Sequence, residues 1–231
     1  VKGIAVASLI VLSMCALGAK ASPATVSLEQ LDKRIADCDR VMQNVLGMPD
    51  RGIPRDLLRR CRGVAVFPRV WKAGVVVGVG YGYGVIVRRD ENAARWSMPA
   101  FFRIREASIG VQAGAQSIDL ILLIMSDEAM EGLLEDKFTL GADISVAAGP
   151  IGREASAETN IRFDAGILSY SRSRGLFAGM SLKGASLEPD REANAIYHGQ
   201  GVTVQDVFYE NKGSVSDSGL TLIKILEDAL K

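Results

Sequence analysis

Seven side chains between residues 55 and 72 offer the most legible chemistry in this sequence: Arg55, Arg59, Arg60, Arg62, Arg69, Trp71 and Lys72. Only Asp56 opposes them. Clustered guanidinium and ammonium groups bind phosphates and carboxylates by charge-assisted hydrogen bonds. An adjacent indole can enter an apolar phase with its N–H still in a wet layer. The surroundings are equally lopsided. From Arg51 to Arg105 there are twelve basic residues against three acidic ones, a net of +9. From Glu106 to Lys231 there are ten against nineteen, a net of −9, and the whole chain is neutral. Either one side of the molecule seeks anions, or the two halves interleave and neutralise each other.

Other chemistry is thinly supplied. The one histidine is His198, beside Gly199, and no Cys/His group has metal-ligand spacing. No G-x-S-x-G elbow accompanies His198. Gly78-x-Gly80 superficially matches a dinucleotide fingerprint, but the alternation around it continues as a strand where a helix is required. No catalytic set, no metal and no cofactor are therefore expected. Asp119 is the odd carboxylate in an otherwise apolar run, Ile118 to Met125. It needs partners if buried, and a strand-end hydrogen-bonding role is the simpler expectation.

The elements that must position the basic cluster start with a helix from Ser27 to Gly47. Leu28, Leu31, Ile35, Cys38, Val41 or Met42, and Val45 form its apolar stripe, Ser27 and Gln30 a capping box, and Gly47 with Pro49 its stop. Asp32, Lys33, Asp37, Asp39 and Arg40 fall on the opposite, solvent-facing side. A shorter helix follows Pro54, with Arg55, Arg59 and Arg62 on one side, Arg60 beside them, and Leu57, Leu58 and Cys61 facing elsewhere. Such a basic amphipathic helix can lie on an anionic surface, or be a solvated face paired with the acidic half.

Two apolar runs split by Pro68 come next, and then Gly78, Gly80, Gly82 and Gly84 on every second residue. Strand alternation puts Val77, Val79, Tyr81, Tyr83 and Val85 on one face and leaves the other nearly bare, open to close approach by a backbone, a packed side chain or a ligand. Arg88 to Asn92 reads as a turn. Further strands are expected at 96–105, 108–117, 118–125, 141–148, 161–170 and 175–185. Helices are expected at 126–134, 189–197, 202–209 and 220–230. The fold class is α+β: one domain with an antiparallel glycine-rich sheet or barrel-like sandwich (63–185), N-terminal helices (27–62) and a C-terminal helical part (186–231).

Residues 1–21 read as a secretory signal peptide. Lys2 precedes an apolar run from Ile4 to Leu17, and Ala19-Lys20-Ala21 supplies a small-x-small cleavage site. The mature chain from Ser22 would carry a net charge of −2. Export to a periplasmic or secreted location, with membrane association, is expected. Leu12-Ser13-Met14-Cys15 permits a lipoprotein reading, against which Met14 is a poor fit. Export leaves Cys38 and Cys61, which either form a disulfide, worth ~3 kcal/mol in the chain-entropy model, or stay as two buried thiols. Nucleic acid is disfavoured by the mature charge and by export.

Six segments in order resemble the SYLF domain family, which includes yeast actin-patch proteins and exported bacterial members. They are GVAVFPRVWKAG (63–74) with the glycine-alternating run after it, WSMPAF (96–101), GVQAGAQSIDLILLIM (110–125), KFTLGADISVAAGPIGR (137–153) and YSRSRGLFAGMSLKGA (170–185). The resemblance implies a non-enzymatic lipid-binding module. Eukaryotic members bind phosphoinositide membranes, partly through an amphipathic N-terminal segment, and some bind actin. The residues that carry this over are those of the basic helix, Arg55 to Arg62, and the strand entry at Arg69 and Lys72. No actin is expected as partner of an exported chain. Peripheral binding to anionic phospholipid is the expected function, with Leu57, Leu58 or Trp71 inserting where binding is tight. The alternatives are a hydrophobic-ligand carrier floored by the glycine face and an envelope structural or interaction protein.

Overall fold

The structure, a computed structural model, describes residues 26–48, 52–74, 77–90, 95–109, 114–151, 165–173, 176–180 and 182–231. The signal peptide and Cys15 lie outside these residues.

Helix α1 (Leu28–Leu46) starts on the expected capping box: the Gln30 amide donates to Ser27 Oγ at 3.2 Å and the Ser27 amide to Gln30 Oε1 at 3.0 Å. Leu31, Ile35, Cys38, Met42 and Val45 bury against the sheet. Asp37 and Asp39 are buried too, against the expected solvent-facing side. Arg69 and Arg40 hold Asp37, and the closing helix α5 (Asp217–Ala229) also packs along α1. Helix α2 (Arg55–Arg60) follows Pro54.

Most of the remaining backbone forms one curled, mainly antiparallel sheet, a half-barrel. Its members are β1 (Gly63–Gly74), β2 (Val77–Asp90), β3 (Arg95–Trp96), β4 (Ala100–Ile109), β5 (Gly114–Ile124), β6 (Phe138–Thr139), β7 (Val146–Ala148), β8 (Ile167–Ser173), β9 (Leu176–Gly179) and β10 (Ser186–Pro189). The order along the sheet is β6-β10-β4-β2-β1-β5-β8-β7, with β3 paired to β2 and β9 to β8; only β7 and β8 run parallel. Helices α3 (Asp127–Gly132) and α4 (Arg191–His198), with a π-helical turn at Asp206–Glu210, complete the set.

Several expected boundaries move. The strand expected over 96–105 is two, split at Ser97–Pro99, and the one over 108–117 straddles the end of β4 and the start of β5. Of 141–148 only Val146–Ala148 is strand, and among the described residues of 175–185 only Leu176–Gly179. Residues 161–164 lie outside the described ones. Pro189 ends β10 instead of starting a helix, and α4 begins behind the Asp190 cap.

The lower half of the sheet is buried on both faces. Val64, Val66, Val85, Val87, Phe101, Ile121 and Leu123 pack with α1, α2 and α5. Ala65, Phe67, Ile86, Phe102, Leu120, Leu122 and Ile124 pack on the other side with α3, the π-helical turn and Leu187. Phe102 stacks on Phe208 with ring centroids 6.2 Å apart. Basic and acidic halves of the chain interleave in this one sheet, with cross-pairs Arg62–Asp127, Lys72–Glu106 and Arg103–Glu188. The charge asymmetry along the sequence is thereby partly cancelled in space.

Candidate functional site

Above the buried half, the described residues leave the α1-side face of β1 and β2 largely uncovered, and the strands deliver large side chains to it. Pro68 does not end a strand; it belongs to a bulge inside β1. Against β2, pairing passes from Val66↔Val85 to Trp71↔Tyr81, five residues of β1 against four of β2. Against β5 it passes from Phe67↔Leu120 to Val70↔Ile118, three against two. One extra residue in β1 reverses the parity of everything beyond it. Val64 and Val66 face α1 below the bulge, and Trp71 faces the α1 side above it, where unbroken alternation would have placed Lys72.

The bulge is pinned. Arg69 has φ +54°, an unusual value for a residue with a β-carbon. Its amide donates to Asp119 Oδ1 at 3.2 Å, and Arg172 Nε and Nη2 donate to Asp119 Oδ2 at 3.1 and 2.7 Å. The Arg69 guanidinium pairs with Asp37, which Arg40 also holds at 2.9 Å. Asp119 thus has a cross-strand clamping role in mid-strand instead of the expected strand-end one.

The glycine alternation completes the arrangement. On the bare side, a β-carbon at Gly82 would sit 2.8 Å from Val70 Cγ2, and one at Gly84 would overlap Val66 O and the Phe67 ring. The bare face is therefore filled by β1 itself, which closes the pocket floor on which a hydrophobic-ligand carrier would depend at these positions. On the other side stand Val79, Tyr81 and Tyr83, all exposed, with Val79 at 62% and Trp71 across from Tyr81 at 59%. The side chain of Val77 is outside the described ones. Tyr81 and Tyr83 meet edge to face at 4.8 Å, and Arg34 lies over the Tyr83 ring at 4.5 Å while bonding Asp190 at 3.1 Å. Between α1 and these strands runs a cleft of about 380 Å³, lined by Gln30, Lys33, Arg34, Asp37, Pro68, Arg69, Trp71, Tyr81, Gly82 and Tyr83.

The seven basic and aromatic residues singled out in the sequence are not brought together. Arg55, Arg59, Arg60 and Arg62 lie at the lower end of the sheet, and Trp71 is nine positions beyond Arg62, on the order of 25–30 Å at strand rise. Arg59 Nε donates to Leu230 O at 3.2 Å, its Nη2 donates to Lys231 O at 3.4 Å, and it pairs with Asp56 at 3.6 Å. Arg62 pairs with Asp127 at 3.2 Å. Lys72 points to the opposite face, where Glu106 holds it at 2.5 Å. Arg55 is exposed and makes no ion pair among the described residues. Leu57 and Leu58 are 3% and 1% exposed inside the core, so neither is available for insertion; Trp71 is. Sequence reading missed Lys33, Tyr81 and Tyr83 as site residues, although the face shared by Tyr81 and Tyr83 was legible from the glycine spacing.

Cys38 and Cys61 are separate buried thiols in place of a disulfide. Each donates to its own carbonyl, Cys38 to Val66 at 3.5 Å and Cys61 to Leu58 at 3.2 Å. Burial pushes the Cys61 thiol up to about 12 and raises Cys38 as well, which keeps both protonated and unreactive. Both nitrogens of His198 are engaged, Nε2 with Pro99 O at 3.0 Å and Nδ1 with the Ser214 amide at 3.3 Å. Burial lowers its affinity for a proton. No group of three or more His, Cys, Asp or Glu among the described residues could hold a metal ion. No helix among them is long and apolar enough to cross a bilayer.

The family model described as Ysc84, Las17-binding protein actin regulator, matches residues 105–229. The chain is 33% identical to Protein YSC84 of Saccharomyces cerevisiae over 211 residues, 89% of this chain and 44% of that protein. It is 33% identical over 162 residues to human SH3 domain-containing YSC84-like protein 1, covering 70% of this chain and 47% of the relative. LAS seventeen-binding protein 3 of Saccharomyces cerevisiae is 35% identical over 159 residues, 68% of this chain and 34% of its own length. The chain spans less than half the length of each of these relatives.

Proposed function

Because this chain belongs to the Ysc84 family of SYLF domains, we propose that it is a non-enzymatic binding module that docks on anionic phospholipid through the upper sheet face. The observation that carries the reading is the strip of Trp71, Val79, Tyr81 and Tyr83, exposed on paired strands and flanked by Lys33, Arg69 and Arg105. A folded protein gains nothing from holding an indole in water. At a bilayer interface the same ring is at home.

The magnitudes favour aromatic docking assisted by charge. Three basic side chains near an anionic surface supply roughly 1 kcal/mol each. Removing Trp71 and Val79 from water adds on the order of 1–2 kcal/mol each. Together these reach ~5–7 kcal/mol, an affinity between about 10 and a few hundred micromolar. The α2 arginines, at the other end of the sheet, contribute only long-range attraction in this reading. Export, and hence an envelope membrane as the target, is part of the proposal.

Co-sedimentation with vesicles of graded anionic content checks it. Binding should rise with anionic lipid and fall as salt shortens the Debye length from about 10 Å at 0.1 M. Lack of binding to vesicles of any composition, beside a protein partner captured through the same face, would favour the second reading, a protein-interaction module. That reading draws on the relatives named for binding Las17.

A further inference from the structure

We infer that the cleft between α1 and β1–β2 is a discrete site for one phosphomonoester, a finer claim that rests on the membrane reading above only for its biological source. The observation is an imbalance of donors over acceptors in one concave place. Lys33 is exposed on α1 and makes no ion pair with a described residue. The Arg69 side chain is 63% exposed, anchored by Asp37 on one side, so several of its five N–H donors stay outward. The hydroxyls of Tyr81 and Tyr83 make no hydrogen bond with described residues. Gln30 Oε1 is taken by the Ser27 amide, which leaves its amide nitrogen as a donor.

The only carboxylate among the described lining residues, Asp37, is buried and already held by Arg40 and Arg69. Arg34 forms the floor, its charge met by Asp190 and its plane over Tyr83. Described donors that share one cleft in excess of its acceptors are complementary to a multiply charged oxyanion. The cleft, at about 380 Å³, is of head-group size. Trp71 at its rim would place the glycerol side of a lipid toward the bilayer. The pinned bulge sets the Arg69 backbone, and Asp37 anchors its guanidinium at the cleft.

The test uses the full chain in solution without vesicles. Glycerol 3-phosphate, inorganic phosphate and sulfate are titrated at constant ionic strength, reading backbone amide shifts around Lys33, Arg69 and Trp71. Saturable binding of glycerol 3-phosphate is expected, weakened about tenfold in Lys33→Gln and in Arg69→Gln, the usual cost of removing one charge-assisted contact. Lys33 is on an exposed helix face, so its variant keeps the fold. Tighter binding of glycerol 3-phosphate than of inorganic phosphate would assign a lipid or other esterified source, and the reverse order a free phosphate site. Non-saturable shifts common to all three anions, or an affinity in both variants unchanged from that of the unsubstituted chain, overturn the inference. Vesicle binding that persists without any soluble-phosphate response overturns it while leaving the membrane reading standing. Saturable binding without vesicle affinity supports the site and removes the membrane.

Discussion

The lower and upper halves of the β1–β2 pair have similar apolar character and opposite fates. Below the bulge, Val64, Val66, Val85 and Val87 lie under α1, α2 and α5, and Ala65, Phe67 and Ile86 under the opposite layer. Above it, Trp71, Val79, Tyr81 and Tyr83 face outward, and among the described residues the edge of α1 is what lies beside them. Hydrophobicity alone does not separate the two. Coverage does: only the N-terminal half of α1 borders the upper face, and the single extra residue in β1 turns Trp71 onto it. The lower half is where stability resides, and the upper half is where large side chains are held ready for something else.

That contrast breaks most visibly at its hinge. Gly84→Val should destabilise the chain by about 3 kcal/mol or more, because the new side chain would have to displace Val66 O and the Phe67 ring, and overpacking against backbone relaxes poorly. Trp71→Ala, in the exposed half, should leave Tm nearly unchanged. Thermal melts of both variants check the pair, and a large loss on removing Trp71 would mean that the upper face is part of the core.

A smaller effect comes from the clamp. Asp119→Ala leaves Arg172 and the Arg69 amide without their acceptor and should cost ~1–3 kcal/mol. It should also loosen the bulge, seen as faster hydrogen exchange at the amides of residues 69–72 with the lower strands unchanged. Unaltered exchange there would show that Pro68 and the neighbouring strands hold the bulge alone.

The smallest effect concerns pH. Burial of Asp39 pushes its carboxyl up to about 7, and one of its oxygens has no hydrogen-bond partner among the described residues. A raised folded-state value means that the neutral acid is the form the fold tolerates. Its stabilising contribution is fully present below pH ~4, the unfolded value, and is lost as pH rises through about 7. Asp39→Asn should therefore raise Tm at pH 8 by a few degrees, at roughly 4 °C per kcal/mol for a domain of this size or less, and leave it unaltered at pH 4. An unchanged Tm at pH 8 would place Asp39 in contact with water.

How far the fold could be read depended on whether its causes were local. The capping box of Ser27 and Gln30 and the glycine alternation from Gly78 to Gly84 depend on residues within a few positions, and both were legible. The parity change at Arg69 was not, because it is fixed by Asp119 and Arg172, which β5 and β8 bring from distant parts of the chain. Helix α2 looked free for the same reason: the groups that occupy Arg59 are at the far end of the chain. Short elements such as β10, four residues long, show no period, and Pro189 reads from sequence as a helix start. Asp37 looked solvated because its partner Arg69 is on a strand.

The central claim is that the upper sheet face, and not the α2 helix, meets the membrane. It is tested most directly by vesicle co-sedimentation of two variants, Trp71→Ala/Tyr81→Ala and Arg55→Gln/Arg59→Gln/Arg60→Gln/Arg62→Gln. The aromatic pair should lose about tenfold or more in affinity for anionic vesicles at 0.15 M salt, and the arginine set only a few-fold, with its loss vanishing at higher salt. Undiminished binding by the aromatic variant, with binding abolished in the arginine one, would contradict the account.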